Sequence, residues 1–124
     1  MASAGNATGL KLTHTIDNMI ALVQLRGHLD GNSHIAAETY FKMVVTSGST
    51  RVVLDLAQVD FISSAGLRAV ISLLKLVKGN HGGLAVCASQ PHVTQLLEFS
   101  GLKTLLSIAP TVDEGRAALV ARFG

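Results

Sequence analysis

A chain of 124 residues is long enough for one domain around one core. Apolar residues make up 48% and charged residues 15%, a balance that excludes general disorder. The formal net charge of +2 comes from scattered Lys and Arg, and the only aromatics are four Phe and one Tyr, so neither a phosphate-tracking stripe nor a stacking platform for nucleic acid is expected.

Residues 1–9 are small and polar and are expected to form a flexible lead. They lack the basic stretch and apolar core of a signal peptide. Leu10, Leu12, His14 and Ile16 then alternate with Lys11, Thr13 and Thr15, the period of a half-buried strand. Asp17-Asn18 suits a turn, and Ile20 to Leu25 is a nearly continuous apolar run, as in a central strand. Gly27-His28-Leu29-Asp30-Gly31-Asn32-Ser33 breaks the run and leads into a helix whose Ala37, Phe41, Val44 and Val45 share a face, with Gly48 as its stop.

Arg51 to Leu56 reads as a short buried strand closed by Asp55. Ser64 to Lys78 is the clearest helix, with Leu67, Val70, Ile71, Leu74 and Val77 at helical spacing and Gly79 at its end. Leu84 to Ala88 is a further strand. Its Cys87, the single cysteine, reads as buried packing rather than a reactive thiol, which suits a reducing compartment. Ser89-Gln90-Pro91 opens a helix carrying Val93, Leu96 and Leu97, stopped by Gly101. A short strand around Leu106 to Ile108 precedes Thr111-Val112-Asp113-Glu114, a capping-box start for the last helix. Two strands followed by strands alternating with helices predict a single α/β domain. Its sheet is mixed, antiparallel at the N-terminus and parallel through the crossovers, with helices packed against it.

Loops that follow the strands of such a sheet gather at one edge, where sites form. Two are candidates: Gly27 to Asp30, and Asp60-Phe61-Ile62-Ser63-Ser64-Ala65-Gly66-Leu67. Ser63 or Ser64 is placed to cap the following helix. Capping alone would account for both serines. A phosphate on either would also meet free backbone amides and the positive end of the helix dipole.

Gly27-His28-Leu29-Asp30 before a helix, then Val53-Leu54-Asp55-Leu56, then Phe61-Ile62-Ser63-Ser64-Ala65-Gly66-Leu67, resembles the STAS domain of bacterial anti-anti-sigma factors, in order from Leu12 to Val120. The resemblance implies a STAS domain over residues 10–124. It implies that Ser64 is the serine that takes phosphate, with Ser63 as the competing acceptor. Asp30, His28, Ser63, Gly66, Leu67 and Arg68 would then lie on the partner-binding edge, although Arg68 also reads as an ordinary surface arginine. Ser63 and His28 stand where many members have Asp and Glu, which makes that edge less acidic. Asp55 is expected to support the following loop through backbone amides, with partner contact as the alternative.

The family pattern further implies an anti-sigma factor antagonist. Unphosphorylated, it would bind an anti-sigma factor that is also an ATP-binding serine-protein kinase; phosphorylation would inactivate it, and a serine phosphatase would reset it. The alternative is a non-phosphorylated STAS subunit docked in a membrane transporter assembly. No cofactor or metal is expected, because His14, His28, His34, His81 and His92 are dispersed without ligand spacing. No enzymatic activity is expected either: the chain lacks Gly-x-Ser-x-Gly and any phosphate-binding Gly-x-x-x-x-Gly-Lys segment. No apolar run approaches the ~18 residues of a membrane span, so the chain is expected to be cytoplasmic.

Overall fold

A computed structural model describes residues 3–7 and 9–123. The chain runs β1 (Ser3–Ala7), β2 (Leu10–Asp17), β3 (Ile20–Leu29), α1 (His34–Thr46), β4 (Arg51–Ile62), α2 (Ser64–Gly79), β5 (Gly83–Cys87), α3 (Pro91–Phe99), a 3-10 turn (Leu102–Thr104), β6 (Ser107–Ala109) and α4 (Val112–Phe123). The strands lie in chain order, β1-β2-β3-β4-β5-β6. β1/β2 and β2/β3 are antiparallel, and every later pair is parallel. This is the mixed sheet expected from the sequence.

Within the segment 1–9 expected to be a flexible lead, Ser3–Ala7 pairs with β2 as an added edge strand; residues 1, 2 and 8 lie outside the described residues. The β2–β3 hairpin turns through Asn18 and Met19, both at positive φ (52° and 67°). That is the turn geometry whose twist matches paired strands. Asn tolerates it, and the 76%-exposed Met19 has no packing reason to be there.

Each crossover steps to the next strand in the same direction. Crossovers of one hand then place their helices on one face. Leu12, Val23, Leu25, Val52, Leu54 and Val86 pack there with Phe41, Val44, Val70, Leu73, Val93 and Leu97 from α1, α2 and α3. α4 follows the last strand and covers the opposite face, where Leu119 meets Ile20, Val53, Ala85 and Cys87. Alternation along β4 thus serves two cores, which explains its continuous apolar run. A Cβ on Gly115 would come within 2.1 Å of the Cys87 sulfur, so α4 sits directly on β5. Burial pushes the Cys87 thiol up from 9.0 to about 12, and the Asp55 carboxylate adds to the effect.

Two expectations about strand length are corrected. β3 does not stop before Gly27 but runs to Leu29, and β4 does not close at Asp55 but continues to Ile62. The register slips between Gln24 and Arg26 and again between Gly27 and His28, inserting extra β4 residues each time. Such bulges let β4 carry Asp55, Gln58 and Asp60 and remain paired, where the polar residues read locally as a loop. Gly27, at φ 118°, keeps β3 going because its bare Cα admits the Gly9 carbonyl, which accepts the His28 amide at 2.8 Å.

Candidate functional site

The C-terminal ends of β3 and β4 lie side by side. Leu29 is opposite Ile62, and the Ser63 amide donates to the Leu29 carbonyl at 2.9 Å. Asp30 and Ser63 are therefore the first residues past two neighbouring strand ends, although 33 positions apart in the chain. The two candidate segments do form one edge.

Ser63 is the N-cap of α2. Its backbone is extended (φ −85°, ψ 177°), and its hydroxyl oxygen accepts the Gly66 amide at 3.2 Å. Ser64 is the first helical residue and is exposed. Its hydroxyl makes no hydrogen bond among the described residues. The two serines thus divide the work: one hydroxyl is committed to the helix and the other is free. Arg68 is exposed four residues on, one helical turn from Ser64. Leu67 is half-buried and packs against the main core. Gly66 is needed for close approach, because a Cβ there would lie 2.0 Å from the Leu29 carbonyl oxygen.

On the other strand end, Asp30 is tied into a tight turn. Its Oδ1 accepts the Asn32 amide at 3.0 Å and the Ser33 hydroxyl at 3.2 Å, while the Ser33 oxygen accepts the Asp30 amide at 3.0 Å. The Ser33 hydroxyl also reaches the His28 carbonyl at 2.9 Å. Fully buried Ser33 therefore locks the segment from His28 to α1. Its role could have been suspected from the spacing Asp30-x-x-Ser33, a common loop-closing pattern at a helix start.

His28 stands beside Gly9, with its Nδ1 3.5 Å from a carboxylate oxygen of Asp60. His92, from α3, bonds the Asp60 carbonyl. Asp60 and half-exposed Phe61 open the second candidate segment, though on the end of β4 rather than in a loop, and His92 extends the edge beyond the residues singled out from sequence. Nothing local marks His92; the docking of α3 brings it there.

Asp55 departs from its expected place. It does not support the loop after β4, because it lies seven residues before the strand ends. Its Oδ1 accepts the Ala57 amide at 3.0 Å and its Oδ2 the Gln24 side-chain amide at 3.2 Å. It does bond a backbone amide, but one freed by the first bulge. Among the described residues, no helix is long and apolar enough to cross a membrane.

The STAS domain family model matches residues 11–115. The chain belongs to the STAS family. This STAS domain is 38% identical over 113 residues to a candidate anti-sigma factor antagonist, BtrV, of Bordetella bronchiseptica, covering 90% of this chain and 94% of that protein. Among solved structures, an anti-sigma factor antagonist from Mycobacterium paratuberculosis superposes with a TM-score of 0.81 at 24% identity, over 89% of this chain and 93% of that one. SpoIIAA, an anti-sigma factor antagonist solved in its unphosphorylated form, has a TM-score of 0.69 at 15% identity, over 93% of this chain and 99% of that one. The Bacillus SpoIIAA structure in the phosphorylated form gives 0.64 at 17% identity, over 79% of this chain and 90% of that one. At these identities the structures establish the shared fold.

Proposed function

We propose that this STAS protein is an anti-sigma factor antagonist switched by phosphorylation of Ser64. The observation that carries the proposal is the free, exposed Ser64 hydroxyl at the start of α2, beside a Ser63 hydroxyl already committed as cap. The relationship to BtrV and the existence of SpoIIAA in both phosphorylation forms support the same reading.

In this reading the unmodified edge, with His28, Asp30, Ser63, Leu67 and Arg68 at its surface, docks an anti-sigma factor that is also an ATP-binding serine kinase; Gly66, expected on that surface, is buried and serves it only by letting α2 approach β3. The protein acts in the cytoplasm by binding, not by turnover. The kinase transfers the γ-phosphoryl group of ATP to the Ser64 oxygen, which loses its proton, and ADP departs. The phosphate adds about −1.5 to −2 charge to the edge that holds Asp30 and Asp60. The unpaired amides of the first turn of α2 can receive it without unfolding the helix. Bulk and charge then release the partner, and a serine phosphatase restores the hydroxyl.

Mass spectrometry after incubation with the cognate kinase and ATP tests this. One phosphate should appear on Ser64, vanish in Ser64→Ala and persist in Ser63→Ala. Ser64→Asp should melt like the parent and bind the kinase at least about tenfold more weakly, near 1.4 kcal/mol. Unchanged affinity in Ser64→Asp, or a stable transporter complex without modification, would favour constitutive docking instead.

A further inference from the structure

α4 covers its face of the sheet over β4, β5, β6 and the start of β3 at Ile20; among the described residues no helix covers the part formed by β2, the later half of β3 and the middle of β4. Leu12 and Leu25 turn into the main core, so their neighbours Lys11, Thr13, Gln24 and Arg26 turn to the bare face. The register sets Lys11 directly across from Arg26 and Thr13 directly across from Gln24, with Gln58 of β4 beside Arg26. These five residues, together with Leu25, line a concavity of about 220 Å³.

Like charges directly opposite on an antiparallel pair destabilise it. Neither Lys11 nor Arg26 forms an ion pair with a described carboxylate. Asp55, opposite Gln24, holds the Gln24 side chain at 3.2 Å and so sets one negative charge at the margin of the concavity against the two positive charges of Lys11 and Arg26. The result is two cations set on facing strands beside a hollow that also offers a hydroxyl from Thr13 and an amide from Gln58. An oxyanion needs that combination of charge and directional donors. The volume is below the roughly 300–1,000 Å³ of sites for drug-sized ligands, so it suits one tetrahedral anionic group rather than a nucleotide.

We propose that this face binds a small phosphate-type oxyanion, free or as a phosphomonoester, between Lys11 and Arg26, with Thr13 and Gln58 as hydrogen-bond donors. The site faces away from α2 and does not depend on the Ser64 switch.

The test is amide NMR of the intact protein titrated with inorganic phosphate, with phosphoethanolamine and with sodium chloride at matched ionic strength. Both phosphates should give saturable shifts at Lys11, Thr13, Arg26 and Gln58 that chloride does not reproduce. Tighter binding of phosphoethanolamine would identify the ester as the ligand class, and equal or tighter binding of inorganic phosphate would identify the free anion. Lys11→Gln and Arg26→Gln should each weaken binding at least tenfold. Both should also melt higher than the parent in phosphate-free buffer, because each removes the repulsion. Shifts that follow ionic strength alone, saturable shifts centred on Ser64 to Leu67, a response to poly-glutamate but not to phosphate, or undiminished binding by both variants would each overturn the proposal.

Discussion

Replacing Gly66 with alanine places a methyl group 2.0 Å from the Leu29 carbonyl oxygen, 2.6 Å from its carbon and 2.9 Å from Leu29 Cγ. Two of those atoms are backbone, so no side-chain rotation relieves the overlap; α2 must back away from β3. Overpacking of this kind costs about 1–3 kcal/mol. The retreat also strains the Ser63–Leu29 hydrogen bond and the Ser63 cap, where losing a cap costs roughly 0.5–2 kcal/mol. Against this, alanine gains about 1 kcal/mol over glycine in helix propensity. The net expectation is a destabilisation of about 1–3 kcal/mol, or roughly 3–15 °C in Tm for a domain of this size. Gly79, at the other end of α2, is the control: a Cβ there meets nothing within 4 Å and its φ is not positive, so Gly79→Ala should stabilise by about 0.4–1 kcal/mol. Urea unfolding followed by circular dichroism measures both. A Gly66→Ala protein as stable as the parent would refute the close contact between the start of α2 and the end of β3, and with it the shared edge.

Asp30→Asn keeps an oxygen that can accept the Asn32 amide and the Ser33 hydroxyl, so Tm should change by less than the ~1 kcal/mol equivalent of one hydrogen bond, whereas Asp30→Ala should lose about that much. If the carboxylate takes part in the switch, Asp30→Asn should slow phosphate incorporation at Ser64 in a timed kinase assay; an unaltered rate and affinity would remove Asp30 from the functional edge. Met19→Gly should raise stability by about 0.5–1 kcal/mol in a thermal melt, since it relieves a left-handed backbone at an exposed site. The raised Cys87 thiol sets an alkaline limit. Above 9.0 the unfolded chain releases a proton that the folded one retains up to about 12, so stability is full below 9.0 and falls with rising pH. About 1.4 kcal/mol should be lost one unit above that value, and Cys87→Ala should abolish this slope in urea melts measured across the range.

The sequence determined the parts of this protein that rest on local chemistry and periodicity. The alternation from Leu10 to Ile16, the helical spacing from Leu67 to Val77, the proline at the start of α3 and the Thr111 cap each express a preference of a short stretch of chain. The Thr111 hydroxyl does accept the Glu114 amide, at 3.1 Å. Ser63 and Ser64 were equally placed as caps in the bare sequence, because helix starts are uncertain by a residue. The backbone angles at Ser63 and its bond to Gly66 assign the cap and leave Ser64 free. Asp55 and the Gly27–Leu29 segment read as strand ends, yet both lie within strands. Pairing between distant segments supplied hydrogen bonds that no window of sequence reveals, and bulges absorbed the polar residues. The same long-range register joined His28 to Asp60, Leu29 to Ser63, and Lys11 to Arg26. A charge scattered along the chain became a local field only when strand pairing set two cations opposite each other, because electrostatic energy depends on distance in space and not on separation along the chain.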